Sequence, residues 1–328
     1  MFQRTNTLLS AAQVLTALIV LLVLIVPSAQ STQPEFKAGA IAKYQFGHTL
    51  YHFDGLGIGS ELVFPLESFA AGLTGDMTVY RDDLPLWSLT ASMMVALNDP
   101  GDPFTDRDWH YIPPGLEVNF SFTESDIDFS MWQFYLEGSH LMYQSEGVSL
   151  YLVAGIGYEK LSYDALGYRG VQLEGASGDS ALIYRPVSSD RLALTYDITY
   201  LTPRLGIRPR IEFGPDVLLE LTAAGSPVVY VDDRDEHLLR NFVMESDGRG
   251  YGFFSQGKLE YRFGENGKHF VRLHGDLNVM GADLGAAIHW YGDDSIDEED
   301  NTGQSGIGIP HNIRSTQYSV GVSFGLML

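Results

Sequence analysis

The sequence predicts an all-β protein: a ten-stranded antiparallel transmembrane β-barrel that extends above an outer membrane. Three observations carry this. The chain opens on an export signal. Apolar and polar residues then alternate with period 2 through most of the remainder. The alternating segments are also long, often about 15–20 residues where a soluble strand averages about 5–6, and the last one runs to the C-terminal residue.

Composition narrows the classes further. Of 328 residues, 45% are hydrophobic and 19% charged, which is ample apolar content for a folded chain. Twenty Lys and Arg against 42 Asp and Glu give a net charge of −22, so the chain repels phosphate and no nucleic-acid partner is expected. With no Cys, neither a disulfide scaffold nor a thiolate metal site is available.

Residues 1–31 read as a cleaved signal peptide. Arg4 is the one charge, an apolar run follows from Val14 to Val26 broken by Thr16, and Pro27 ends it before the small residues Ser28-Ala29-Gln30-Ser31. The run is short against the ~20 residues that span a bilayer as a helix. Residues 32–328 are then a single barrel domain.

Ten strands follow, near 36–53, 58–79, 86–97, 115–137, 148–164, 191–212, 217–231, 242–263, 269–282 and 306–328. In the third, Trp87, Leu89, Ala91, Met93 and Val95 alternate with Ser88, Thr90 and Ser92. In the tenth, Tyr318, Val320, Val322, Phe324 and Leu326 alternate with Ser319, Gly321, Ser323 and Gly325. A soluble sandwich would bury the large face; a membrane barrel turns it to lipid and keeps small polar residues in the lumen. An even strand count leaves both termini on one side. Tyr80–Pro85, Phe213–Asp216 and Gly264–Lys268 read as short turns, and 98–114, 165–190, 232–241 and 283–305 as long polar loops facing outside.

Three acidic clusters fall in those loops. Asp106-Arg107-Asp108 lies after the third strand and Asp232-Asp233-Arg234-Asp235-Glu236-His237 after the seventh. The third, 293–300, holds six acids and reads as a solvated loop with at most weak affinity for Ca²⁺. In the first two, residues two apart share one side of an extended chain: Asp106 with Asp108, and Asp235 with His237. Four strands separate the clusters, so the pairs face each other across the mouth of a ten-strand ring. Two close carboxylates tend to hold a proton. A carboxylate beside an imidazole orients the ring and makes it a competent base. A water held between Asp106 and His237 can then be deprotonated and attack a peptide carbonyl, with no covalent intermediate and no metal. Asp-x-Asp alone is weak, since Asp126-Ile127-Asp128 matches it too. A zinc site needs three or four ligands, and the sequence supplies no third near Asp235 and His237.

Asp106-Arg107-Asp108-Trp109 and Asp233-Arg234-Asp235-Glu236-His237 resemble the two signature motifs of the omptins. Ser60-Glu61-Leu62-Val63-Phe64 with Phe69 to Val79, Gly157-Tyr158, Tyr196 and Thr202-Pro203 also fall in family-like places. The resemblance implies a ten-stranded outer-membrane aspartyl-type endopeptidase of a Gram-negative bacterium, a monomer acting outside the cell on peptides or proteins. It implies Asp106 and Asp108 as the catalytic aspartate pair, Asp235 and His237 as the catalytic dyad, and Asp233 as an acid that binds a basic substrate side chain. The pocket's second acid is expected on the first strand, where Phe46-Gly47-His48-Thr49-Leu50 has none. No cofactor is expected. Lipopolysaccharide is the implied activator and outer-wall partner, but Ser162 and Thr199 stand where its arginines would be. The competing readings are a non-enzymatic barrel: an adhesin, or a narrow cation-selective pore.

Overall fold

Among the described residues, twelve β-segments build ten staves. The computed structural model describes residues 34–55, 58–81, 84–112, 116–174, 183–293 and 300–328. The segments are β1 (Glu35–Gly55), β2 (Ile58–Pro65), β3 (Ser68–Arg81), β4 (Leu84–Ala96), β5 (Phe104–Ile112), β6 (Leu116–Ser145), β7 (Val148–Glu174), β8 (Ile183–Phe213), β9 (Val217–His237), β10 (Phe242–Phe263), β11 (His269–Trp290) and β12 (Ser305–Met327). β2 and β3 are the upper and lower halves of one stave: β1 pairs with both, from Gly55↔Ile58 down to Glu35↔Thr78. β5 and β4 likewise share a stave, each pairing with β6. All pairings are antiparallel, and β12 pairs with β1 along its length (Lys37↔Met327 to Phe53↔His311), which closes the ring. The predicted signal segment and most of the acidic run at 293–300 lie outside the described residues.

The side chains invert the pattern of a soluble protein. Along β12, Tyr318, Val320, Val322, Phe324 and Leu326 are exposed, while Ser315, Gln317, Ser319 and Ser323 are buried in the lumen. Outward aromatics bound this apolar belt. Phe46, Phe69, Trp132, Phe134, Tyr158, Tyr251 and Tyr318 mark its upper edge, and Phe36, Tyr143, Phe213 and Tyr261 its lower one. No helix among the described residues is long and apolar enough to cross a membrane. The strands do so instead.

The staves are longer than the alternation predicts. The stretch read as a loop at 98–114 contains β5, and the strand predicted to end near 137 runs on to Ser145. β7 runs on to Glu174 and β8 starts at Ile183, inside the predicted 165–190 loop. β9 reaches His237, β11 reaches Trp290, and β12 starts at Ser305. The reason is physical. Above the belt the outer face meets water, so both faces carry polar residues and the hydropathy alternation fades while the pleat continues. The turns at the opposite end are tight, with Gly147 and Gly214 at φ 71° and 73°, a left-handed conformation that costs glycine little.

The lumen is filled in layers. At the bottom is an ion-pair network: Lys37 Nζ lies 2.7 Å from Glu260, Arg272 bonds Glu260 and, at 3.0 Å, Asp76, and buried Arg208 bonds Glu137. Above it is a polar cavity of about 110 Å³ lined by Lys43, Gln45, Gln133, Glu159, Arg204 and Asp276 among others. An aromatic core closes the cavity from above. Phe64 of β2 stacks on Tyr196 of β8 across the lumen at 4.2 Å and packs against Phe104 at 4.8 Å, with Phe129 and Tyr163 alongside. This layer forms the floor beneath the rim.

Candidate active site

β5 and β9 carry the rim residues and lie four staves apart. On β5, Asp106 and Asp108 share the face of Phe104, which is buried in the lumen core. On β9, Val229, Val231, Asp233 and Asp235 are buried inward, while Asp232 and Arg234 face out. Asp235 lies five residues beyond Tyr230, the register partner of Leu201, which itself pairs with the girdle residue Tyr158. That is roughly 16 Å along the strand above the aromatic edge.

The dyad is formed. His237 Nε2 lies 2.9 Å from Asp235 Oδ2. Nε2 therefore carries the hydrogen it donates to the carboxylate, leaving the Nδ1 lone pair free. The ring is fixed from one side by Phe242, stacked at 4.4 Å and 25°. Asp235 is 1% exposed and its Oδ1 is enclosed without a hydrogen-bond partner.

The aspartate pair lies on β5, four staves from β9. Asp108 Oδ2 accepts a bond from Ser121 Oγ at 3.0 Å, fixing the outer member of the pair. Asp106 Oδ1 is enclosed without a partner, as Asp235 Oδ1 is. Burial first, then the Asp108 and Asp235 carboxylates, hold the Asp106 carboxyl well above the usual range, and Arg240 offsets part of this. Asp235 on β9 thus acts electrostatically on Asp106 on β5. Asp126 and Asp128, which match the same pattern, are exposed on the outer wall.

The sign of the Asp106 shift gives a stability prediction. A carboxyl raised on folding binds more protons in the folded chain than in the unfolded one. Stability therefore falls as pH rises from the ordinary aspartate value through the raised one. At neutral pH Asp106→Asn removes that cost and is expected to stabilise the barrel by about 1–3 kcal/mol. Denaturant unfolding in detergent at pH 7 and at pH 4 checks this: the gain shrinks at the lower pH.

Below the dyad, Asp233 is buried, accepts a bond from Ser246 Oγ, and faces His311 Nε2 at 3.8 Å. Tyr51 stacks on His311 at 4.6 Å. The Tyr51 and Tyr196 hydroxyls are enclosed without partners, and burial together with Asp235 and Asp233 keeps both protonated far above the usual range. Sequence reasoning named Tyr196 only as a family-like position and missed Tyr51, Ser246, His311, Phe242 and Arg240. Their one sequence signal is parity, since inward positions on β1, β8, β10 and β12 fall at the level of the dyad only once the register is known.

On the outer wall, Ser162 pairs in register with Asp197 and Asp128 with Asp164. Lys160 lies 3.5 Å from Asp197. Burial first, and then Asp128 and Asp197, raise the Asp164 carboxyl. This face presents carboxylates where the resemblance expects arginines. Among the described residues no group of three or more His, Asp or Glu is placed to hold a metal ion.

No family model and no curated protein sequence matches the chain. Among solved structures it is similar to the outer membrane protease OmpT from Escherichia coli, with a TM-score of 0.73, 14% identity, and coverage of 92% of this chain and 99% of that one. Much weaker likenesses are to the outer membrane protein OprG from Pseudomonas aeruginosa (TM-score 0.29, 10% identity, covering 89% and 95%) and the translocator domain of the autotransporter NalP from Neisseria meningitidis (TM-score 0.27, 10% identity, covering 97% and 97%). At these identities the first likeness establishes the fold: this chain is built as an outer-membrane β-barrel of ten staves.

Proposed function

We propose that this protein is an outer-membrane endopeptidase whose site opens outside the cell and which hydrolyses peptides or exposed proteins with a water activated between Asp106 and His237. The observation that carries the reading is the histidine ring on β9 held by Asp235 at 2.9 Å and by Phe242, with Asp106 and Asp108 on the Phe104 face of β5 four staves away. One hydrogen of the water is held by Asp106 and the other passes to His237 Nδ1. The hydroxide oxygen bonds to the peptide carbonyl carbon. The imidazolium, stabilised by Asp235, then gives its proton to the departing amine as the C–N bond breaks. The products are a carboxylic acid and an amine, so every atom of the water is accounted for. Asp108, held by Ser121, acts through its neighbour: its charge raises the proton affinity of Asp106 and so sharpens it as a base. Asp106, Asp108, Asp235 and His237 are the catalytic set in this reading.

The test is hydrolysis of a fluorogenic peptide library by refolded protein in detergent, with and without lipopolysaccharide. Turnover is expected in both, because the outer wall around Ser162 carries Asp128, Asp164 and Asp197. No turnover in either leaves a non-enzymatic barrel as the better reading. The pore alternative meets a separate obstacle. The ion pairs of Lys37, Glu260, Arg272, Asp76, Arg208 and Glu137 fill the lower lumen, and the aromatic core fills the upper. Planar-bilayer recordings are expected to show no large stable channels.

A further inference from the structure

The wall of the barrel is not equally tall all round. β9 ends at His237, the register partner of Leu194 on β8, and the turn that follows adds one bond, from Leu238 N to Ala193 O at 3.1 Å. β8 begins well before this level, at Ile183, so the stretch from Ile183 to Ala193 overhangs the end of β9. On one side the overhang is held: Ile183 to Ser189 pairs residue for residue with Glu174 to Tyr168 of β7. β7 pairs in turn with β6, where Gln172 meets Ser121, the residue whose hydroxyl holds Asp108. On the other side, no strand among the described residues pairs with it. A sheet edge thus stands open directly above the dyad histidine, backed by the sheet that fixes the aspartate pair.

An open edge presents main-chain donors and acceptors in a row. Pro186 shows which way they point. A proline has no N–H to give a ladder, and within a sheet its nitrogen faces the unpaired side. Main-chain groups of residues two apart face the same way. The N–H groups of Tyr184 and Ser188 and the carbonyls of Tyr184, Pro186 and Ser188 therefore line the free edge. The wall has a second overhang, on β12 above His311, whose partner Phe53 ends its pairing with β1. There the ladder to β11 shifts register at Ala286/Ala287 and Gly308 sits at φ 78°, so the row is broken. β8 is the edge that offers a regular ladder.

What fits this edge is an extended peptide. A second barrel in the same membrane stands upright like the first, so two β8 edges could meet only in parallel, the weaker pairing. A peptide arriving from solution can pair antiparallel, in the line that β9 leaves. Running that way, its N-terminal part lies at His237 and its C-terminal part climbs β8. We propose that the free edge of β8 is a substrate-docking strand: residues C-terminal to the scissile bond add to the sheet beside Ile183–Ser189 and are recognised by their main chain, so the substrates are extended, unstructured segments. This rests on the peptidase reading above and deepens it.

Two measurements test it. In the first, two fluorogenic peptides share one cut site and carry about two or about ten residues C-terminal to it, the longer extension being enough to reach Tyr184 at about 3.3 Å per residue. Wild type is expected to cleave the long peptide with a kcat/KM at least about tenfold higher. Single N-methylation along the extension is expected to cancel the gain at every second position, because alternate amides face β8. Ser188→Pro, which spares the ladder to β7, is expected to abolish the gain and leave the short peptide unaffected. No gain with length, or a gain indifferent to N-methylation, overturns the proposal even if the variant does not fold; a gain retained in folded Ser188→Pro overturns it too. The second measurement reads binding without turnover: hydrogen exchange at the Tyr184 and Ser188 amides of Asp106→Asn protein, with and without the long peptide, which contains no proline. Slowed exchange at both amides is expected, and unchanged exchange overturns the proposal. An absence of any hydrolysis by the wild type sinks the peptidase reading, and the exchange measurement then decides the docking strand by itself.

Discussion

His237→Ala and Asp106→Asn are each expected to lower kcat by about 10²–10⁴-fold while the barrel remains folded. The two changes act on opposite walls. Removing the imidazole takes away the base whose Nε2 is tied to Asp235 at 2.9 Å and whose face is held by Phe242. The asparagine at 106 keeps the size of the side chain but loses the charge that Asp108 and Asp235 make basic. KM should move little in both, because neither group is asked to bind substrate more strongly than it binds the transition state. Asp106→Asn separates catalysis from folding, since the same change is expected to stabilise the barrel. A variant that lost activity by unfolding would show the opposite sign.

The largest stability effect is expected in the lower lumen, far from the chemistry. Arg208 is 3% exposed and Glu137 2%; they bond each other, Arg208 Nε also donates to Thr222 at 2.8 Å, and Tyr135 donates to Glu137. Arg208→Met leaves a buried carboxylate without its cation and is expected to cost about 3–5 kcal/mol. Adding Glu137→Gln should recover most of that loss, since replacing both members removes the uncompensated charge. Denaturant unfolding in detergent micelles, followed by tryptophan fluorescence, reads both. A single variant no less stable than the double would mean that the pair is not desolvated as its position implies.

The fold was legible where lipid imposes one polarity outside and another inside. The alternation of Tyr318 to Leu326 against Ser319 and Ser323 is a direct record of that boundary, and β12 follows it residue for residue. Legibility fades above the aromatic girdle. Phe104–Ile112 continues a stave, yet Asp106, Arg107 and Asp108 are all polar because water lies outside and the rim site inside. The placement of the two acidic pairs followed from strand count and spacing. The contrast with Asp126 and Asp128 was present too: those acids alternate with Ile127 and Phe129, which fill the lumen, and so must point outward. What the sequence does not reveal is the second layer. Tyr51, Tyr196, Ser246 and His311 come from four different strands, and only the register brings them around Asp233.

The central claim is that the β5 and β9 pairs work as one unit on one water. A double-mutant cycle on kcat/KM with Asp106→Asn and His237→Ala tests it most directly. If both groups hold the same water, the double variant is expected to be about as slow as the worse single one, because either change alone already disables the unit. Losses that multiply in the double variant would mean that the two side chains act independently and would contradict the account.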